Sequence, residues 1–162
     1  MGLEDDIDLL SRVAMFQSFE TEQLRLIAFG TEKRRLKKGS VLFRQGDTSD
    51  GGYVVASGQI DIVAHGSGRE ITLESVTEAG LIGELSLITP NERIASAIAR
   101  TESDVLFIPR ALFHRLLREY PQMAALLHAR IAHSVRGIVS QMEAVQKKLD
   151  DLPPLNETGT KN

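Results

Sequence analysis

The sequence predicts a mainly β protein, an antiparallel β-roll or jelly-roll barrel with N-terminal helices and a long C-terminal helix. Three observations carry this expectation. Nine of the 13 glycines lie between Gly39 and Gly83, spaced among short apolar runs, as tight turns between short strands require. Two of those runs alternate: Ile60 and Ile62 with Gln59, Asp61 and Val63, and Ile71 and Leu73 with Glu70, Thr72 and Glu74. That is the period of half-buried strands. After Pro109 the turn signals nearly vanish and long helical stretches follow. With 162 residues, 42% of them hydrophobic and 25% charged, the chain can bury one core.

Residues 1–30 read as a helical lead-in, with helices over Glu4–Ser11 and Thr21–Phe29 and Thr21 as the N-cap of the second. Residues 31–110 hold strands at Arg35–Leu36, Val41–Arg44, Tyr53–Ala56, Gln59–Ala64, Glu70–Val76, Ile94–Ala99 and Val105–Pro109. His65-Gly66-Ser67-Gly68 reads as the hairpin turn between the fourth and fifth. Several short antiparallel strands at this spacing close into a barrel or jelly roll. Residues 111–150 read as helices. One covers Ala111–Tyr120; the next takes Pro121 into its first turn, runs to about Asp150 and ends at Pro153-Pro154. Along it Ile131, Val135, Ile138, Met142, Val145 and Leu149 are spaced 4-3-4-3-4. This is an a/d seam, so a homodimer through this helix is expected. Residues 151–162 are polar and aperiodic, and read as a disordered tail.

Composition removes several function classes. The chain has no Cys, which excludes disulfides, zinc ribbons, iron–sulfur clusters and thiol catalysis. Its net charge of −3 argues against grip on nucleic acid by broad phosphate neutralisation. Only 12 residues follow Asp150, too few for a DNA-recognition helix, so no DNA partner is expected. No apolar run approaches the ~20 residues of a membrane span. The acidic start Met1-Gly2-Leu3-Glu4-Asp5-Asp6 is unlike a basic secretory leader. A cytoplasmic protein with no membrane partner is expected. His128 and His133 are five apart and form no zinc pair, and no Gly-x-Ser-x-Gly elbow is present. No catalytic residue, metal or cofactor is therefore expected. The basic run from Lys33 to Lys38 reads as the charged rim of the first strand.

One stretch carries chemistry: Gly83-Glu84-Leu85-Ser86-Leu87-Ile88-Thr89-Pro90-Asn91-Glu92-Arg93-Ile94-Ala95-Ser96. Gly83 permits close backbone approach. Glu84–Ile88 is long enough for one short helix, whose first N–H groups face an anion. The Arg93 guanidinium stays charged and can hold two phosphate oxygens. The Glu84 carboxylate, acceptor-only when ionised, suits a sugar hydroxyl. Together these describe a ribose–phosphate clamp. Taken alone, they also fit an exposed loop carrying a Glu84–Arg93 surface ion pair of little worth.

The chain resembles the cyclic-nucleotide-binding domain family, typified by the catabolite activator protein and the regulatory subunits of cyclic-AMP-dependent kinase. Residues 83–96 look like that family's phosphate-binding cassette. Lys38-Gly39-Ser40-Val41-Leu42-Phe43-Arg44-Gln45-Gly46-Asp47, Ser49-Asp50 and Tyr53-Val54-Val55-Ala56-Ser57-Gly58 resemble its first β-roll segments. Phe16, Phe19 and Leu24 sit as in its helical lead-in. The resemblance implies that Glu84 accepts from the ribose 2′-hydroxyl and that Arg93 pairs with the cyclic phosphate. It further implies close contacts from Gly83, Leu85 and Ala95, and a purine pocket lined by Ile62 and Leu73. It implies a lone sensory module that binds cyclic AMP or cyclic GMP and signals through its C-terminal helices to a separate downstream protein. Ile94 follows Arg93 where a hydroxyl residue helps cyclic GMP, which favours cyclic AMP. Ile138 and Val139 offer no hydroxyl to the base, and Gly52 replaces a bulky apolar residue, which is expected to loosen its strand. With Ile94, those two positions keep a second reading open: a degenerate β-roll used for protein contacts or for another ligand such as a cyclic dinucleotide.

Overall fold

The computed structural model describes residues 2–127 together with Glu143, Gln146, Lys147 and Asp150. Two helices open the chain, α1 (Leu3–Ser11) and α2 (Thr21–Gly30), separated by a 3-10 turn at Ala14–Phe16. Eight strands follow: β1 (Glu32–Leu36), β2 (Val41–Phe43), β3 (Gly51–Ser57), β4 (Ile60–Gly66), β5 (Arg69–Val76), β6 (Leu81–Ile82), β7 (Ser96–Ala99) and β8 (Ser103–Pro109). A second 3-10 turn, Leu85–Leu87, lies between β6 and β7. Helix α3 (Arg110–Glu119) leaves β8 without a loop, and residues 121–127 are helical again. The expected seam (Ile131, Val135, Ile138, Met142, Val145, Leu149), Val139 and the expected tail lie outside the described residues. No described helix is long and apolar enough to cross a membrane.

Every strand pair is antiparallel, in two four-stranded sheets of order β1-β8-β3-β6 and β2-β7-β4-β5. The expected mainly β architecture with flanking helices is the one the chain adopts. Burial explains the two kinds of strand sequence. On β3 and β8, Tyr53, Val55, Val105 and Phe107 point between the sheets, where they join Ile60, Val76, Ile82, Ala97 and Ala99. Val54, Ala56, Leu106 and Ile108 point the other way, into a second core with α1, α2, α3, Met123 and Leu127. Strands covered on both faces need continuous apolar runs, whereas β5, at the edge of its sheet, alternates between half-buried and exposed residues from Arg69 to Glu74. The second core is anchored by Phe16, Phe19 and Phe113, whose ring centroids lie 5.4 to 6.5 Å apart.

Several local expectations change. The N-cap of α2 is Glu20, not Thr21. The Glu20 backbone N–H donates to Gln23 Oε1 at 2.9 Å, so a glutamine three residues ahead sets the helix start. The β4–β5 hairpin is tighter than the four residues expected. Gly66 pairs with Arg69, and Ser67 and Gly68 alone turn the chain, with φ of 55° and 74°, as in a type I′ hairpin. Strand β6, two residues between Gly80 and Gly83, is too short to show a period. Gly52 does not loosen its strand. It is buried in β3, and a Cβ there would lie 3.1 Å from Leu87 Cγ and 3.2 Å from the Ile82 carbonyl oxygen. Its missing side chain lets the Leu85–Leu87 turn seat against the sheet. The basic run is largely spent on neighbours: Lys33 meets Asp6 at 3.4 Å, Arg35 meets Asp104 at 3.1 Å, and the Arg34 guanidinium lies over the Phe107 ring at 4.6 Å.

The β4–β5 register also shifts. Ile62 pairs with Glu74, but Val63 pairs with Thr72. Leu73 has no partner and forms a β-bulge.

Candidate functional site

A cavity of about 280 Å³ opens between the β2-β7-β4-β5 sheet and the segment after β6. Its floor is one row of cross-strand neighbours. Phe43 of β2 pairs with Ala97 of β7, Ala97 with Ile62 of β4, and Ile62 with Glu74 of β5. Phe43, Ile62 and Glu74 all line the cavity. Leu81, Ile82, Gly83, Glu84, Leu85 and Ser86 close one side, and Asn91 to Ala95 another.

The segment after β6 is shaped around one guanidinium. Gly83 has φ +80°, and a Cβ there would come within 2.5 Å of Arg93 Nη1. No other residue combines that backbone conformation with that proximity at low cost. The expected short helix over Glu84–Ile88 is a single 3-10 turn, Leu85–Leu87, too short to carry a helix macrodipole. The cationic side chain must therefore supply the positive charge of the site. Arg93 is 7% exposed. Its Nη1 donates to Ser86 Oγ at 3.0 Å, its Nη2 donates to the Gly51 carbonyl oxygen at 2.9 Å, and its Cζ lies 4.1 Å from the centre of the Phe43 ring. Ser86 Oγ in turn donates to Asn91 Oδ1 at 2.8 Å, an oxygen that also accepts from Ser49 Oγ. Each polar atom of this cluster is thus positioned by another.

No carboxylate lies within ion-pair distance of Arg93 among the described residues. The surface Glu84–Arg93 pair is therefore not what the structure contains. Burial holds the guanidinium's pKa below its ordinary value; an arginine side chain in a protein is a cation all the same. A buried cation without an anion is expensive. Among the described residues two of its N–H groups are spent on neutral acceptors, which leaves others of its five donors for another group. Among the described residues the Glu74, Glu84 and Glu92 side chains also make no hydrogen bond or ion pair, and all three line the cavity. One cation without a carboxylate and three carboxylates without a partner among the described residues, on one small cavity, suit a ligand with an anionic part and separate donor groups.

The structure brings together Gly83, Glu84, Leu85, Arg93, Ile94, Ala95 and Ile62 at the cavity. Leu73 is not among the lining residues. The bulge shifts the alternation of β5, so Glu74 and Val76 occupy the face that a regular strand would have given to Leu73. Ile94 is 43% exposed at the cavity wall. Phe43, Glu74 and Asn91 were not expected at the site. A bulge is invisible to period counting, and the role of Asn91 depends on folding Ser49 against it. Arg110 opens α3 beneath the same cluster: its Nη1 donates to the Ser86 carbonyl at 3.0 Å and its Nη2 to the Ser49 carbonyl at 3.1 Å. His114 Nε2 lies 2.6 Å from the Ile88 carbonyl oxygen. The turn that shapes the site is thus tied to the first turns of α3.

A family model described as the cyclic nucleotide-binding domain matches residues 33–120. That span is more than half of the chain and contains every residue of the cavity. The protein belongs to the cyclic nucleotide-binding domain family. The chain is 32% identical over 123 residues to a cyclic AMP receptor protein of Thermus thermophilus, covering 75% of this chain and 57% of that protein. It is 29% identical over 136 residues to lysophospholipase nte1 of Aspergillus fumigatus, covering 83% of this chain but 9% of that protein. The solved structure of a cyclic nucleotide-binding-like protein from Brucella abortus superposes with a TM-score of 0.64 at 38% identity, covering 70% of this chain and 98% of that one. The chain thus spans little more than half of the receptor and under a tenth of the enzyme. In the receptor and the enzyme the matched region is one part of a larger protein.

Proposed function

We propose that this chain is a cyclic-nucleotide sensor that favours cyclic AMP over cyclic GMP and performs no catalysis of its own. The observation that carries the reading is the buried Arg93 guanidinium without a carboxylate partner, set on a cavity wall. A cyclic phosphate supplies the negative charge it lacks, and a guanidinium can hold two of its oxygens. Glu84 accepts from the ribose 2′-hydroxyl, and Gly83, Leu85 and Ala95 pack around the phosphate. Ile62, Val76 and Ile94 cover the purine. Ile94 has no hydroxyl to offer guanine, and the likeness to a protein named cyclic AMP receptor protein also supports adenine.

Ligand binding draws Arg93 and Ser86 toward the phosphate. Arg110 holds the Ser86 carbonyl, so a displaced turn changes the footing of α3. Binding then shifts a pre-existing balance of helix arrangements toward the one with higher ligand affinity. We infer further that the protein acts in the cytoplasm as a homodimer through the seam from Ile131 to Leu149, and that a separate protein reads its C-terminal helices. Calorimetric titration of ligand-free protein with cyclic AMP and cyclic GMP tests the core of this reading. Saturable binding with cyclic AMP the tighter ligand is expected. No heat and no thermal shift with either nucleotide would overturn it and favour the second reading, a β-roll used for protein contacts or a cyclic dinucleotide, for which the exposed Ile94 speaks.

A further inference from the structure

We propose that Glu74 reads the base of the ligand by accepting a hydrogen bond from its exocyclic amino group. This assignment rests on the cyclic-nucleotide reading and adds a specificity residue to it. The floor row Phe43–Ala97–Ile62–Glu74 crosses four strands. Three interstrand steps make it about 14 Å long. Arg93 stacks on Phe43 at one end, and Glu74 stands at the other. A nucleotide held by its phosphate at Arg93 and by its ribose at Glu84 extends its base along this row. The cavity residues that β4 and β5 contribute are Ile62, Glu74 and Val76. Two of these suit the apolar faces of a purine, and Glu74 is the single polar side chain of the three.

Among the described residues the Glu74 side chain has no hydrogen-bond or ion-pair partner. An ionised carboxylate only accepts, so it gains from an N–H such as that of the adenine 6-amino group and gains nothing from a C–H in the same place. The bulge at Leu73 is what brings this side chain onto the cavity face. Because the row fixes its distance from the phosphate anchor, Glu74 discriminates by chemistry at one end of the ligand while Arg93 supplies affinity at the other. Apolar cover alone would separate purines poorly.

The test pairs a change in the ligand with a change in the protein. Cyclic AMP and its 6-deamino analogue, purine riboside 3′,5′-cyclic monophosphate, are titrated into the parent chain and into Glu74→Ala and Glu74→Gln. The parent is expected to prefer cyclic AMP by roughly tenfold or more, the size of a hydrogen bond to a charged group. Glu74→Ala is expected to bring the two ligands to within about twofold, and Glu74→Gln, which keeps an acceptor oxygen, to restore part of the preference. A parent that binds both ligands equally, or an alanine variant with the parental ratio, overturns this assignment alone. Failure of the parent to bind either ligand overturns the cyclic-nucleotide reading and this assignment with it.

Discussion

Two arginines bracket β7, and the chain treats them oppositely. Arg100 follows the strand with its side chain 41% exposed, and its Nε donates to Asp61 Oδ2 at 2.8 Å while Glu70 lies 3.9 Å away. Asp61 is further held by Gln59 at 3.0 Å and Ser75 at 2.7 Å. Arg93 precedes the strand, is 7% exposed, and among the described residues meets a serine hydroxyl, a carbonyl and the rings of Phe43 and Tyr53, with no carboxylate. Stability alone would demand the reverse, with the carboxylate beside the more buried cation. The contrast separates a charge placed to hold the sheet from a charge placed to meet something else.

The largest expected effect comes from Arg93→Met, which keeps volume and removes charge. Cyclic-nucleotide affinity should fall by about a hundredfold or more, the usual consequence of truncating a buried charged contact. The melting temperature of the ligand-free protein should hold or rise, because a desolvated cation is gone. Affinity retained within about tenfold would remove Arg93 from the site and erase the contrast with Arg100. Gly83→Ala comes next. It combines strain at φ +80° with a Cβ at 2.5 Å from the guanidinium. Calorimetry and thermal melts should show a loss of binding together with roughly 1–2 kcal/mol of stability.

Asp61→Asn probes the other arginine. Urea unfolding should show a loss of about 1–2 kcal/mol, since charge-assisted hydrogen bonds are weakened. Ligand affinity should stay at the parental value; a parallel loss of affinity would mean that the two sides of the sheet are coupled. The smallest effect is a pH dependence. Burial pushes the Asp61 pKa up, but hydrogen bonds from Gln59, Arg100 and Ser75 and the charge of Arg100 outweigh it, so the net shift is downward from 3.8. The folded value is below the unfolded one, so its contribution is present above that ordinary value and fades as pH falls through the lower folded value. Acid unfolding of Asp61→Asn should therefore lack part of the parental loss of stability in that window.

Much of the fold was legible because the strands of the β-roll are short and their boundaries chemically marked. Continuous runs such as Tyr53–Ala56 announced strands covered on both faces, and the alternation of Ile60 and Ile62 proved to lie along one strand as expected. Two-residue β6 escaped because no period fits in it. Leu73, which the resemblance gives to the purine pocket, does not line the cavity, because the Ile62/Val63 register shift breaks the alternation of β5. At the site, the residue types of Glu84 and Arg93 pointed to a clamp without showing whether they pair with each other. That distinction depends on the buried surroundings of Arg93, which come from Phe43, Ser86 and Gly51, distant in sequence from one another. The same holds for Asn91, whose Oδ1 gathers hydroxyls from two separate loops.

The bulge at Leu73 has a consequence for insertions and deletions. On the turn side of it, Arg69 and Ile71 share a face; on the root side, Glu74 and Val76 share that same face. Odd positions thus become even ones across a single residue. Deleting Leu73 would leave every recorded β4–β5 pair intact and only straighten the strand, whereas deleting one residue on either side of the bulge would force neighbouring pairs to be redrawn. The hairpin therefore has one site where a shortened chain can keep its pairing, at the residue where counting along the sequence goes wrong.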